Sequence, residues 1–157
     1  MFHSTASVIL CINPVDPLHP HVQARGNKFC TICGSSITLK NRYIPIEKLG
    51  SGGFATIYTV WDLKTQTERV LKVLLETSPK ARELFKQEAD ILQRLRHPAI
   101  PIVEPDGYFM LTVGNPPTHQ LPCLVMEKST VRLWKIFLTV IPKVVPKQWY
   151  LTGFNKQ

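Results

Sequence analysis

The chain has 157 residues, 44% of them hydrophobic, which is enough for one packed domain plus a short module and excludes wholesale disorder. Its formal net charge is +8, and much of the excess sits near the C-terminal end, where Lys128, Arg132, Lys135, Lys143, Lys147 and Lys156 occur with no acidic residue. Such a tail suits nucleic acid or an anionic membrane, but no groove-facing motif accompanies it, so it reads as uneven charge and no nucleic-acid partner is expected.

Met1 to Leu10 contains no Lys or Arg, and its apolar run is short and interrupted, so it does not read as a secretory signal. No stretch approaches the ~20 apolar residues that span a bilayer. The expected location is therefore cytoplasmic, where thiols stay reduced and four cysteines suggest metal before disulfides. Composition divides the chain into three zones: a Cys-, His- and Pro-rich extension over 1–40, a zone of strands and one helix over 41–128, and an unmatched basic tail over 129–157.

In the first zone, Cys30-Thr31-Ile32-Cys33-Gly34 is a C-x-x-C knuckle followed by glycine, a frequent half of a zinc ribbon. No βαβ pattern surrounds it, which argues against a thioredoxin-like redox role.

In the second zone, Arg42 to Leu49 alternates as a strand, and Ala55 to Asp62 is rich in β-branched and aromatic residues. Lys64 to Glu68 reads as a polar turn, and Arg69 to Leu75 as a strand with apolar residues on both faces. Ser78 and Pro79 carry the signals of an N-cap and a first helical position. The helical period then runs to Arg96, where His97-Pro98 ends it. Tyr108 to Leu111 and Leu121 to Met126 are further strands, and Cys123 in the latter reads as core. The sum is an α+β fold: a small antiparallel sheet of about five strands with one helix across it.

Three features of this zone point to a polyphosphate. Gly50, Gly52 and Gly53 lie between two strands, where missing Cβ atoms let backbone N–H groups approach phosphate oxygens. Lys72 shares a strand face with Val70 and Leu74, so its ammonium needs an anion or a buried acid. Glu88 falls near the middle of the helix stripe formed by Leu84, Phe85, Ile91, Leu92 and Leu95, and Lys72 is the obvious cation for it. A dinucleotide fingerprint also fits Gly50 to Ala55, but it requires a helix directly after the glycines, and Thr56 to Trp61 reads as strand. A Walker loop is excluded, because no Gly-Lys-Ser/Thr follows.

The region from Tyr43 to Lys128 resembles the N-terminal lobe of protein kinases, in particular bacterial serine/threonine kinases with a cysteine-containing N-terminal extension. The resemblance implies an ATP site made of Leu49, Gly50, Ser51, Gly52, Gly53, Phe54, Ala55, Lys72, Glu88, Met126, Glu127 and Lys128. Within it, Ala55 stands where the third loop glycine would be, Lys72 matches the lysine on the α- and β-phosphates, and Glu88 matches its partner. Met126 would be the gatekeeper, with Glu127 and Lys128 at the start of the adenine-binding hinge. Neither a His-Arg-Asp catalytic loop nor an Asp-Phe-Gly magnesium motif occurs in the sequence, so the chain as written is not expected to transfer phosphate. A frameshifted or truncated gene is the expectation, with a pseudokinase-like binding module, acting through the extension and the basic tail, as the alternative. ATP is the expected ligand, magnesium and a protein substrate belong to an intact parent, and a lone lobe is expected to bind ATP weakly and to be poorly soluble. The resembled extension would carry a further cysteine soon after Asn13-Pro14, where this chain has Asp16. The expected metal ligands, for zinc, are thus Cys11, Cys30 and Cys33 with Asp16, or with a histidine, His19 and His21 being near.

Overall fold

The computed structural model describes residues 4–51, 55–76, 78–98, 100–117 and 119–128. The basic tail and the loop residues Gly52, Gly53 and Phe54 lie outside them. Among the described residues seven strands and one helix follow in order: β1 (Val8–Cys11), β2 (His21–Ala24), β3 (Tyr43–Ser51), β4 (Ala55–Asp62), β5 (Thr67–Leu74), α1 (Pro79–Arg94), β6 (Tyr108–Val113) and β7 (His119–Glu127). Strands β1 and β2 form a hairpin, and the other five form an antiparallel sheet ordered β3-β4-β5-β7-β6.

The helix starts where its capping residues dictate. Ser78 has extended backbone and its hydroxyl accepts from the Ala81 N–H at 3.2 Å, with Pro79 next in line. It stops at Arg94, short of the expected Arg96, because Leu95 has already turned to ψ 137° ahead of His97-Pro98. The buried stripe is Ala81, Phe85, Glu88, Ala89 and Leu92, while Leu84 and Leu95 pack at its margin and Ile91 is half-buried.

Both faces of the sheet are covered. Successive side chains alternate across a strand. Val70 and Leu74 of β5 therefore join Ile57, Leu124, Met126 and the helix residues Phe85, Ala89 and Leu92 in one core. Leu71 and Val73 point the other way, to a second core with Tyr58, Val60, Phe109, Leu111, Cys123 and Val125. That second core is closed by Leu10, Ile12 and Leu39 of the extension. A third cluster, Ile9, Cys11, Cys30 and Ile37 with Ile46 and Trp61, joins the extension to β3 and β4. As a result every residue of β4 is buried. Polar ties reinforce the contact: Lys48 Nζ donates to the Leu18 carbonyl at 2.7 Å, and the Tyr58 hydroxyl donates to the Pro17 carbonyl. Tyr43 stacks on Phe109 with ring centroids 6.1 Å apart.

One ion cluster was not foreseen. The Asp62 side chain is fully buried at the end of β4 and accepts from Arg42 through both oxygens at 2.8 Å, and from Arg69 Nε at 3.0 Å. Burial alone would raise its pKa, but these bonds, with those from Thr65 and the Lys64 N–H, outweigh it and hold the carboxyl well below the usual range. Asp62 thus fastens together the start of β3, the end of β4 and β5. Among the described residues no helix is long and apolar enough to cross a membrane.

Candidate nucleotide site and cysteine cluster

The antiparallel register places the lysine relative to the loop. Gly50 pairs with Ile57, Ile57 with Lys72, and Lys72 with Leu124, so these four form one row across the sheet. Neighbouring strands are about 4.8 Å apart, which puts the start of the glycine-rich loop two strand spacings, roughly 10 Å, from the Lys72 backbone. A register shift between Lys48 and Gly50 bends β3 as the loop begins, and the Thr56 hydroxyl donates to the Gly50 carbonyl at 3.2 Å. Ser51 and Ala55 are the last described residues on either side of the loop.

Lys72 and Glu88 meet as the sequence indicates. Lys72 Nζ donates to Glu88 Oε1 at 2.8 Å and to Oε2 at 2.9 Å, and the two residues are 6% and 4% exposed. Lys72 Nζ also lies 5.7 Å from the centroid of the Phe85 ring, one helical turn before Glu88. A buried pair of this kind contributes little net stability, because desolvation offsets most of the attraction. What it does is fix an ammonium at one place on the cross-sheet row that Gly50 begins.

Of the remaining predicted residues, Met126 lies in the core and Leu49, Glu127 and Lys128 lie at the surface. Met126 is 1% exposed and pairs with Val70 on the lysine-bearing face. Glu127 is exposed, and its N–H donates to the Ile102 carbonyl at 2.9 Å. Lys128 is ion-paired with Glu68 on the surface, and Leu49 is exposed at the end of β3. A depression of about 420 Å³ beside the end of β7 is lined by Glu68, Glu104 and Glu127 together with Arg69 and Lys128, and its three carboxylates suit it poorly to phosphate.

In the extension, Cys11, Cys30 and Cys33 come together, and the fourth member is His21: the ligand atoms of all four lie within 4.8 Å of one another. Cys11 Sγ is 3.6 Å from Cys33 Sγ, and Cys30 Sγ is 3.4 Å from His21 Nδ1. Asp16 does not join them. Its carboxylate is taken by His19 Nδ1 and the Leu18 N–H in an exposed turn of its own. The signal that selects His21 is the hairpin register, which sets it directly opposite Cys11, and side chains of opposed residues share a face. The knuckle turns through Gly34 at φ +75°, where a Cβ would also meet the Asn115 side chain at 2.7 Å. Backbone N–H groups of Ile32 and Cys33 lie 3.4 and 3.5 Å from Cys30 Sγ. Burial pushes the Cys11 thiol up. It acts the same way on Cys33, but hydrogen bonding with Ser35, Cys11 and His21 prevails and brings that thiol to about 6. Cys123 is fully buried in the sheet core, as the sequence suggests, and is not among the four.

No protein-family model matches the chain. It is 35% identical over 109 residues to serine/threonine-protein kinase F of Synechocystis sp., a match covering 62% of this chain and 21% of that protein. It is 30% identical over 134 residues to serine/threonine-protein kinase B of the same organism, covering 76% of this chain and 23% of that protein. It is 43% identical over 67 residues to serine/threonine-protein kinase Nek11 of Mus musculus, covering 40% and 11%. The chain spans about a fifth of the length of kinase F and about a tenth of that of Nek11. Over part of its length, then, the chain is similar to serine/threonine protein kinases, and its sheet with one helix is compatible with the N-terminal lobe of such an enzyme.

Proposed function

We propose that residues 41–128 are the ATP-binding lobe of a serine/threonine protein kinase. The observation that carries this reading is the buried Lys72–Glu88 pair on the same cross-sheet row as Gly50. In the proposed complex Lys72 holds the α- and β-phosphates, Glu88 orients Lys72, and backbone N–H groups of residues 50–55 cover the phosphates. Met126 closes the back of the adenine pocket, and the backbone of Glu127 and Lys128 begins the hinge. Phosphoryl transfer also needs a catalytic base and a magnesium-binding aspartate, and this sequence supplies neither motif. The function proposed for the chain itself is therefore nucleotide binding, with magnesium, phosphotransfer and a protein substrate belonging to a full-length kinase. For the extension over residues 1–40 we propose zinc as the cofactor of its cysteine cluster.

Titration with a fluorescent ATP analogue, with and without magnesium, tests the lobe. The paired variant Lys72→Met/Glu88→Leu keeps the core filled and leaves no lone buried charge. It should bind at least tenfold more weakly than the unaltered chain, and equal binding by the two would overturn the reading. A second reading, a non-catalytic binding module, draws on the exposed apolar side chains Val15, Val22, Phe29 and Ile32 of the extension. Under it, the same paired variant would leave partner binding unchanged.

A further inference from the structure

Resting on the reading of the extension as a zinc module, we infer that Cys11, His21, Cys30 and Cys33 are the complete ligand set, with His21 in the fourth position, and that the ion pins the extension across the sheet face opposite the helix.

The donor spacing fits the ion. With Zn–S near 2.3 Å and Zn–N near 2.0 Å, the edges of a tetrahedron are about 3.8 Å between sulfurs and about 3.5 Å between sulfur and nitrogen. The observed contacts of 3.6 Å for Cys11–Cys33 and 3.4 Å for Cys30–His21 are close to those edges. They are far from the ~2.05 Å of a disulfide. Three sulfurs and an imidazole are a set that borderline-soft zinc selects over magnesium or calcium.

The surroundings hold the donors in place. Gln23, two residues after His21 and 3% exposed, accepts from the Thr31 N–H at 2.9 Å and fastens the knuckle to the hairpin. Ser35 Oγ lies 3.3 Å from Cys33 Sγ and accepts from the Gly114 N–H at 3.0 Å. Ser35 therefore ties the cluster to the β6–β7 turn, as outer partners of metal ligands commonly do. On the inner side Cys11 and Cys30 sit in one apolar cluster with Ile46 and Trp61 of the sheet.

The need for an ion follows from size. Forty residues with two four-residue strands bury too little apolar surface to be ordered alone. Yet this segment supplies Leu10, Ile12 and Leu39 to the core over β4, β5 and β7. A metal that closes the loop from Cys11 to Cys33 makes ordering of the segment and covering of the sheet one event.

The test uses the whole 157-residue chain. Metal content is measured by mass spectrometry, and cobalt(II) replaces zinc as an optical probe of tetrahedral thiolate ligation. One zinc per chain is expected. His21→Ala should weaken cobalt binding by at least about tenfold, the lower end of what even outer partners of a metal site cost. Asp16→Asn should leave it unchanged, and His21→Cys should restore binding with stronger sulfur-to-cobalt charge transfer. Weakened binding in Asp16→Asn with none in His21→Ala would overturn the ligand assignment while sparing the zinc reading. A chain that takes up neither metal would overturn both. Zinc removal should also raise amide exchange in residues 8–11, 21–24 and 55–62 by at least tenfold while the helix 79–94 stays protected. Unchanged exchange in a chain that does bind zinc would overturn the pinning role alone.

Discussion

The two faces of the five-stranded sheet are closed by opposite strategies. On one face a single capped helix brings Phe85, Ala89 and Leu92 onto Ile57, Val70 and Leu74, and buries one ion pair among them. On the other, short strands and turns from the first forty residues supply Leu10, Ile12 and Leu39, and lean on a cluster of thiols and an imidazole. The helix is ordered by local signals, its cap, its period and its stop. The extension is ordered by contacts between residues far apart in sequence. The sheet carries a buried, ion-paired lysine on one side and the extension on the other, and β4, buried throughout, is where the two covers meet.

The sharpest way to break the comparison is to unbalance the ion pair on the helix face. Glu88→Ala leaves the Lys72 ammonium buried without its carboxylate and should destabilise the fold by about 3–5 kcal/mol. In Lys72→Met/Glu88→Leu most of that loss should disappear. Urea titrations of the three proteins check both statements.

Leu71 and Leu74 are both fully buried and lie on opposite faces of the same strand. Each Leu→Ala change should cost about 2–5 kcal/mol in the zinc-loaded protein. After chelation the cost of Leu71→Ala should fall, since the extension no longer covers that site, and the cost of Leu74→Ala should persist. Equal costs under both conditions would show that the faces do not depend differently on metal.

Acid probes the join between β3, β4 and β5. The folded Asp62 carboxyl is held below its unfolded value, so it contributes stability above the unfolded pKa of about 3.9. That contribution should fade as pH falls from about 4 toward the depressed folded value. A urea midpoint that declines over this range in the unaltered chain, but less in Asp62→Asn, is the expected result. The smallest effect belongs to the cap: Ser78→Ala should cost about 1 kcal/mol and loosen the first helical turn, measurable by circular dichroism.

Legibility follows the same division. The bounds of β4, the Ser78 cap and the inward Glu88 could all be read from local pattern, because each is fixed by residues within a few positions of one another. The hairpin was not legible. Val8–Cys11 and His21–Ala24 are short, and Pro14, Pro17 and Pro20 between them mask any turn signal. With the hairpin unseen, nothing in the spacing chose His21 over Asp16 or His19. One clue was present: Arg69 to Leu75 is apolar on both faces, and an antiparallel strand with no wet face requires a second cover. The stripe of large apolar residues was an imperfect guide to burial, since Ala81 and Ala89 are buried while Ile91 is only partly so.

The complete burial of β4 bears on where the molecule can be cut. A fragment beginning at Asn41 would keep the lysine, the glutamate and the helix, yet it would turn Tyr58, Val60, Leu71, Val73 and Val125 toward water. Such a fragment is expected to self-associate through that surface, and an assay on it would measure aggregation rather than nucleotide affinity. The first forty residues are therefore the cover of the strand that follows the glycine-rich loop.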